Sequence, residues 1–180
     1  MRKLSTILPL AFILGLIFFF ARGLDLDPKA LNSPLMNKRA PNFRLATVEN
    51  STEYVGSEIF KGKVTVLKVW TSSCWICQQE QAFMIEAAKT IADVQWLGLN
   101  YKDEALLAKN WLADFGNPYQ ANLHDVKGQM GLDYGVYGSP ETFIIDKQGF
   151  LRYKTVGALT VEKWQQEIRP LLIELMDKQP

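Results

Sequence analysis

The chain has 180 residues, of which 48% are hydrophobic and 22% are charged, and its formal net charge is +1. This composition is typical of one globular domain with a short extension, and it excludes a disordered or fibrous protein. Lysine and arginine are spread along the sequence, so no basic face for binding a phosphate backbone is expected, and nucleic acid is not expected as a partner.

The N-terminal segment predicts a membrane anchor. From Leu4 to Ala21 the sequence has no charged residue, and this run of about 18 residues is longer than the roughly 7 to 15 residues of a signal-peptide core. A cleaved signal peptide is the alternative, although Ala21-Arg22-Gly23 is a poor cleavage site. Arg2 and Lys3 precede the run, and positive flanks tend to stay in the cytoplasm. We therefore expect a single-pass membrane protein whose remaining chain lies outside the cytoplasm.

Three regions are predicted along the chain: a membrane anchor in residues 1–22, a juxtamembrane linker in 23–39, and a folded domain in 40–180. The linker contains Pro28 and Pro34 among polar residues, a composition that does not propagate a helix or a sheet. The domain is long enough to bury roughly two thirds of its unfolded surface.

The first half of the domain predicts a β-α-β unit. Residues 64–70 are rich in β-branched and aromatic side chains and predict a buried strand. Residues 75–89 carry apolar side chains at helical spacing, which places Cys74 and Cys77 at the N-terminus of a helix. Residues 94–100 predict the second strand.

The second half predicts a β-β-α arrangement. Asp103 is predicted to cap a helix that runs to Phe115 and ends at Gly116. The remaining predicted elements are a short strand, a short helix, two hairpin strands and an amphipathic helix, at 119–123, 126–134, 142–146, 151–156 and from Val161 to Leu175. Pro170 is expected to kink the last helix because it lacks a backbone donor. The predicted fold class is therefore α/β and thioredoxin-like, with a central mixed sheet flanked by helices, and with an N-terminal transmembrane helix.

The chain has two cysteines, Cys74 and Cys77. A disulfide framework that stabilises a domain uses several dispersed cysteines, and a ring this short constrains the unfolded chain little. Residues three apart on a helix lie about 5 to 6 Å apart, which a disulfide tolerates. Backbone N–H groups at the helix N-terminus favour the Cys74 thiolate, so Cys74 is the predicted nucleophile. Cys77, one turn deeper, is predicted to resolve the mixed disulfide.

The roles of His124 and Trp75 are not decided by the sequence. A zinc site would need further ligands, and the only histidine is His124, to which no role is assigned. Trp75 lies between the cysteines and is expected to be exposed, either to contact a partner peptide or simply to pack.

The segments Trp70–Glu80 and Tyr134–Thr142 resemble the cytochrome c maturation thioredoxin-like proteins, the CcmG/DsbE family. The resemblance covers the whole chain, including the anchor. Further matching segments are Ala40–Leu45, Asn100–Asp103, Gly116–Tyr119 and Glu167–Leu171.

The resemblance implies a thiol:disulfide oxidoreductase on the periplasmic side of a bacterial inner membrane. Such a protein receives electrons from a membrane thiol reductase and reduces disulfides of apocytochrome c or of heme-ligation maturation factors, with no cofactor and no metal. One alternative is a general extracytoplasmic disulfide reductase or oxidant with other clients, since the potentials of similar sites differ widely. Another is a copper chaperone that uses both thiolates and His124.

The resemblance also implies further site residues. Pro140 matches the cis-proline of the family, which lies beside the active disulfide, and Glu80 and Glu141 match acidic residues near the active site. Two carboxylates near Cys74 would oppose thiolate formation. From the sequence alone, a solvated helix charge at Glu80 and a loop charge at Glu141 are the alternatives.

The sequence departs from the family at three places. Ser73 stands where the family usually has tryptophan, and Trp75-Ile76 replaces its more common Pro-Thr, which leaves the redox potential open. Lys68 stands where thioredoxins have a buried Asp and this family usually has Asn. A buried ammonium would lower the thiol pKa values and exchange protons, and Lys68→Asn would then slow substrate release. The alternative is a lysine that extends to the surface.

Overall fold

The computed structural model describes residues 2–24, 33–91 and 93–178. The chain forms two compact units that divide between Asn32 and Ser33. The first unit contains helix α1 (Arg2–Leu24), which includes Pro9. Within the described part of the chain, no helix combines the length and the apolar character that crossing a membrane requires.

The second unit begins earlier than the predicted domain boundary at Ala40. The Asn37 N–H donates to the Leu151 carbonyl, and the Ala40 N–H donates to the Gly149 carbonyl. Residues 33–39, predicted as linker, therefore belong to the folded unit, because their backbone pairs with the last hairpin. The linker residues 25–32 lie outside the described residues.

A small antiparallel sheet precedes the central one. It consists of β1 (Arg44–Ala46) and β2 (Tyr54–Gly56), and a 3₁₀ helix follows at Ser57–Phe60. Neither strand was predicted, because three residues are too few to establish an alternating pattern.

A five-stranded mixed sheet forms the centre of the second unit, in the order β5-β4-β3-β6-β7. Its strands are β3 (Thr65–Trp70), β4 (Gln95–Tyr101), β5 (Ala121–Asp125), β6 (Glu141–Ile145) and β7 (Leu151–Val156). Strand β3 is parallel to β4 and antiparallel to β6. The predicted α/β fold with a central mixed sheet is confirmed.

Four helical segments accompany the sheet: α2 (Trp75–Thr90), α3 (Ala105–Phe115), α4 (Gln129–Asp133) and a composite C-terminal helix. The composite helix consists of α5 (Val161–Lys163), a π-helical turn (Trp164–Ile168) and α6 (Arg169–Asp177). The π-helical turn ends two residues before Pro170, so the α-helix is irregular close to the position of the predicted kink. The kink was predicted because Pro170 has no backbone N–H to donate.

The core lies on both faces of the central sheet, because successive side chains of a strand point to opposite faces. On β3, Val66 and Trp70 pack with helices α2, α3 and α6, whereas Leu67 and Val69 pack with α4 and residues of the N-terminal half. We call these the α2 face and the opposite face. The alternation places Lys68 on the α2 face, beneath the helix that begins at the cysteines.

Candidate active site

Cys74 and Cys77 form a disulfide at the start of α2, with Cα atoms 5.2 Å apart. Cys74 is the N-cap residue of the helix, and its Sγ accepts a hydrogen bond of 3.0 Å from the Cys77 N–H. The predicted position at a helix N-terminus is confirmed. The N–H that faces Cys74 Sγ would stabilise a thiolate there after reduction.

The two sulfur-bearing residues differ in access to solvent. Cys74 is 9% exposed and Cys77 only 2%, which fits the predicted order of an outer nucleophile and an inner resolving thiol. Trp75 is 67% exposed and Ile76 is 42% exposed. The expected exposure of Trp75 is confirmed, and an apolar surface stands beside the disulfide.

Strand β3, which leads to the cysteines, ends at Trp70, and the Trp70 ring stacks with two other aromatic rings. Trp70 is fully buried, and its ring centroid lies 4.8 Å from that of Trp111 and 6.4 Å from that of Tyr119. Trp70 Nε1 donates to Asn122 Oδ1 at 3.1 Å. A side chain at Gly98 would collide with Trp70 and Asn122, so glycine there leaves room for the hydrogen bond that fixes Trp70.

Asp103 holds the loop between β3 and Cys74. Its carboxylate accepts from the Ser72 N–H at 2.6 Å, from Ser72 Oγ at 2.8 Å and from Asn100 Nδ2 at 2.9 Å. The prediction that Asp103 caps α3 was wrong, since the N-cap is Glu104 and its side chain makes no capping bond. Sequence reasoning missed this role because Ser72 is remote from Asp103 in sequence, and only the strand order brings them together.

The ionisation of Asp103 follows from these contacts. Partial burial favours its neutral form, but the hydrogen bonds from Ser72, Asn100 and Glu104 outweigh burial and lower the pKa of Asp103 below its ordinary value. His124, to which the sequence assigned no role, lies with Nε2 3.0 Å from the Asp103 carbonyl oxygen. His124 therefore contacts the backbone of Asp103 from strand β5.

Lys68 and Glu80 form a buried ion pair on the α2 face. Lys68 Nζ lies 2.7 Å from Glu80 Oε1 and donates to Thr142 Oγ1 at 3.1 Å. The side chains of the pair are 1% and 5% exposed, so the alternatives of a surface lysine and a solvated helix charge were wrong. Glu80 Oε2 accepts from the Leu159 N–H at 2.7 Å.

The surroundings of Lys68 change its ionisation. Burial lowers the pKa of Lys68, and the charges of Glu80 and Glu141 oppose this effect without reversing it. Burial and the Glu80 charge both raise the pKa of Tyr119, which is also buried. The pair therefore belongs to a group of buried ionisable residues near the helix that carries the cysteines.

Glu141 follows a cis peptide bond between Ser139 and Pro140, as the resemblance implied for Pro140. Glu141 is fully buried, and its Oε1 accepts from the Tyr137 N–H at 2.7 Å and from the Gly138 N–H at 3.2 Å. The alternative of a loop charge was wrong, because Glu141 is the first residue of β6.

The two carboxylates lie on different sides of the sheet. Glu141 is the register partner of Val69, whereas Thr142, which bonds Lys68, belongs to the α2 face. Glu141 Oε2 lies 3.2 Å from Lys154 Nζ. We expected both carboxylates to act together on Cys74 and to oppose its thiolate. In the structure each carboxylate is paired with its own lysine, which offsets its negative charge.

Lys154 was not among the predicted site residues. Its side chain is only 4% exposed, its Nζ donates to the Gly135 carbonyl, and it lies 4.6 Å from the centroid of the Tyr137 ring. Lys154 thus fixes the loop that precedes Pro140, and Tyr137, which is 68% exposed, is held at its surface. Nothing in the local sequence around Lys154 signals this role.

Comparison with known proteins adds to this geometry. The Redoxin family model matches residues 35–168. The thiol:disulfide interchange protein DsbE of Allochromatium vinosum is 36% identical over 97% of this chain and 96% of its own, and that of Vibrio cholerae is 42% identical over 83% and 80%. This chain belongs to the DsbE family of Redoxin-type proteins.

Solved structures agree with the DsbE family. A candidate thiol:disulfide interchange protein DsbE from Chlorobium tepidum is 28% identical, with a TM-score of 0.65, and the match covers 76% of this chain and 95% of that one. The fold is therefore thioredoxin-like, and the chain is a thiol:disulfide oxidoreductase whose redox pair is Cys74 and Cys77.

Proposed function

We propose that this DsbE-family protein is a membrane-anchored reductase of the bacterial periplasm, which reduces disulfides of apocytochrome c or of its heme-ligation maturation factors. A membrane thiol reductase supplies its electrons. The support is the resemblance of the segment Tyr134–Thr142 to the cytochrome c maturation proteins, together with curated DsbE relatives that match this chain over most of its length.

The observation that carries the proposal is the construction of the loop beside the disulfide. Glu141 binds the backbone of Tyr137 and Gly138, and Lys154 neutralises it from the next strand. A buried ion pair with this many backbone contacts gives the loop before Pro140 one fixed shape. Such a surface favours a dedicated client over a broad range of unfolded chains.

The reaction proceeds by two thiol–disulfide exchanges. In the reduced protein, the Cys74 thiolate attacks a client sulfur, which forms a mixed disulfide and releases one client thiolate. Cys77 then attacks Cys74 Sγ, the Cys74–client bond breaks, and the second client thiolate leaves. Two electrons pass to the client, and the membrane reductase restores the two thiols.

Trapping of the intermediate tests the client. Cys77→Ser should leave Cys74 joined to its partners, and mass spectrometry of the captured proteins should find apocytochrome c or its maturation factors. The control is the double variant Cys74→Ser/Cys77→Ser, which cannot form the mixed disulfide. A broad set of secreted proteins would instead favour a general disulfide reductase.

The membrane anchor is a separate part of the proposal. Its support is the uncharged run from Leu4 to Ala21, which has the length of a transmembrane helix. Full-length protein should stay with membranes after alkaline carbonate extraction, and a variant that lacks residues 2–22 should not. Release of the full-length protein by carbonate would overturn the anchor.

A general disulfide oxidant is a second candidate, because Lys68 and Lys154 neutralise both carboxylates. Without an uncompensated negative charge, the Cys74 thiolate is less destabilised, and a more stable thiolate makes the disulfide more oxidising. Equilibration of the protein with glutathione separates the two functions. The proposed reductase should form its disulfide readily in mildly oxidising glutathione, whereas an oxidant should remain largely reduced there.

A further inference from the structure

A cavity of about 620 Å³ lies in the second unit, at the pole of the central sheet opposite to the disulfide. Its lining includes Gly62, shortly before β3, and Gly149, between β6 and β7. Thr65, at the start of β3, pairs with Ile145, at the end of β6, whereas Cys74 follows the other end of β3. The length of β3, about 20 Å, separates the two poles. We call this cavity the distal cavity, because it does not belong to the redox site.

Three positive side chains line the distal cavity: Arg39, Lys61 and Lys147. Among the described residues, none of the three forms an ion pair with a carboxylate. The lining also contains the acidic residue Glu58, whose carboxylate lies against Gly56, where an added Cβ atom would collide with it. Positive charge is therefore in excess in the lining, which suits an anionic ligand.

Two of these positive side chains are already held in place. The Arg39 guanidinium lies 5.4 Å from the centroid of the Phe150 ring. Such stacking uses the face of a guanidinium, whereas its N–H donors point outward in its plane and match two phosphate oxygens. Lys147 Nζ donates to the carbonyls of Met176 and Lys178. Side chains that are ordered beforehand lose little entropy when an anion binds.

The distal cavity also has an apolar floor. Ala40 and Phe60 line it and are 5% and 2% exposed, and both belong to the core on the opposite face of the sheet. A free phosphate ion gains nothing from an apolar floor. The glycerol and first acyl carbons of a phospholipid would bury apolar surface on it. Positive side chains above an apolar floor therefore favour an anionic phospholipid.

The polypeptide enters the second unit beside the distal cavity. The Ala40 N–H donates to the Gly149 carbonyl, and both residues line the cavity. The uncharged run that we propose as a membrane anchor ends at Ala21. A fully extended chain spans at most about 3.6 Å per residue, so residues 22–32 allow at most about 40 Å between that run and the second unit. The membrane surface is therefore within reach of this pole.

We propose that the distal cavity binds the phosphate of an anionic phospholipid in the membrane that anchors the chain, and that this contact directs the disulfide away from the bilayer. Arg39 and Lys61 contact the phosphate oxygens, and the lipid glycerol lies over Phe60. The inference rests on the proposed membrane anchor and adds an orientation to it. A second unit held in this way presents Cys74 to clients in water and not to lipid.

Hydrogen exchange of the full-length protein in lipid nanodiscs tests this contact. One nanodisc contains phosphatidylcholine alone, and the other also contains phosphatidylglycerol, which is anionic. In the anionic nanodisc, the amides of residues 39–42, 57–62 and 147–149 should exchange at least about threefold more slowly than in the neutral one. The amides of residues 71–76, at the disulfide pole, should exchange at the same rate in both.

The variant Arg39→Gln/Lys61→Gln removes two positive charges from the distal cavity. It should weaken the lipid contact at least about tenfold, so that the protection in the anionic nanodisc disappears. The matched control is Lys102→Gln/Lys127→Gln, which removes the same charge from exposed positions after β4 and β5, at the disulfide pole. The control should keep the protection. The exchange of the β3 amides reports whether each variant is folded.

Three results would overturn the inference. The first is equal exchange of the cavity amides in the two nanodiscs, and the second is protection that persists in Arg39→Gln/Lys61→Gln. The third is protection of residues 71–76 in the anionic nanodisc, which would mean that the disulfide pole faces the lipid. Inorganic phosphate added to the neutral nanodisc is a further arm, and protection of the cavity amides by phosphate alone would assign the cavity to a soluble anion instead.

These outcomes can be told apart from failure of the proposed function. Arg39→Gln/Lys61→Gln should not alter the proteins trapped by Cys77→Ser, because the distal cavity lies at the other pole. A protein that resists carbonate extraction but exchanges equally in both nanodiscs keeps its anchor and loses only the lipid contact. Release by carbonate would overturn the anchor, and flotation of that protein with phosphatidylglycerol vesicles would still support the distal cavity as a lipid site.

Discussion

Two buried lysine–glutamate pairs lie on opposite faces of the same sheet, and they differ in what else they bind. Glu141 has two backbone donors, from Tyr137 and Gly138, besides Lys154. Glu80 has one backbone donor besides Lys68 and shares a helix face with Cys77. The first pair is therefore suited to fix a loop, and the second connects the helix that carries the cysteines to strand β3.

The difference shows that composition alone does not assign a role to a buried ion pair. A charge with several fixed hydrogen bonds gains little from a change of protonation, because each bond favours one state. A charge with few partners responds more readily to a neighbouring charge, such as a new thiolate. Substitutions at the two lysines should therefore have different consequences.

The largest effect on stability is expected from Lys68→Met. It leaves Glu80 buried with one backbone donor, and loss of one partner of a buried pair typically costs about 3–5 kcal/mol. Urea unfolding at neutral pH measures the free energy of unfolding. The double variant Lys68→Met/Glu80→Gln should recover much of the loss, and a double variant that is less stable than Lys68→Met would contradict this account.

Lys68 also predicts how stability depends on alkaline pH. Its pKa is lowered in the folded state, so between that pKa and the ordinary value for lysine the unfolded chain binds more protons. Stability contributed by this group therefore rises with pH across that window. The difference in free energy of unfolding between wild type and Lys68→Met should change there, and a constant difference would show that Lys68 does not titrate.

Lys154→Met should lower the free energy of unfolding by a smaller amount, about 2–3 kcal/mol, because Glu141 keeps two backbone hydrogen bonds. The loop before Pro140 should loosen, so hydrogen exchange at the Tyr137 and Gly138 amides should accelerate. Exchange at these two amides that is as slow as in the wild type would contradict the role of Lys154 in fixing the loop.

Much of the fold could be predicted from the sequence, whereas the pairing of its charges could not. The strand β3 and the helix α2 were predicted within one residue of their observed ends, because β-branched runs and helical spacing are local signals. The partner of Glu80 lies on β3 and that of Glu141 on β7. Burial of these carboxylates depends on the order of the strands in the sheet, which cannot be predicted from a local sequence pattern.

The loop before Cys74 gives a similar lesson. Asp103 lies at a position where a helix cap is expected, yet its carboxylate binds Ser72, which follows the neighbouring parallel strand β3. Capping and cross-strand bonding compete for the same oxygen atoms, and the parallel arrangement of β3 and β4 decides the outcome.

Asp103→Asn should lower the free energy of unfolding by about 1 kcal/mol, because the amide keeps part of the hydrogen bonding but loses the charge. The pKa of Asp103 is lowered in the folded state, so its contribution is present above the unfolded pKa and is lost as pH falls through the folded pKa. The difference in stability between wild type and Asp103→Asn should therefore shrink in acid. A difference that grows in acid would contradict this sign.

The smallest effect is expected from Glu141→Gln, which should change the pKa of the Cys74 thiol in the reduced protein. The substitution leaves the Lys154 ammonium uncompensated near Pro140, and the added positive charge should lower the pKa of Cys74, by less than about one unit. Absorbance of the thiolate in reduced protein measures this pKa, and Lys154→Met should move it in the opposite direction. Lys154 and Glu141 lie behind the loop and not beside Cys77, so the resolving step should keep its rate. An unchanged or higher Cys74 pKa in Glu141→Gln would mean that the charge on the opposite face does not reach the disulfide, and that the Glu141–Lys154 pair acts on the loop alone.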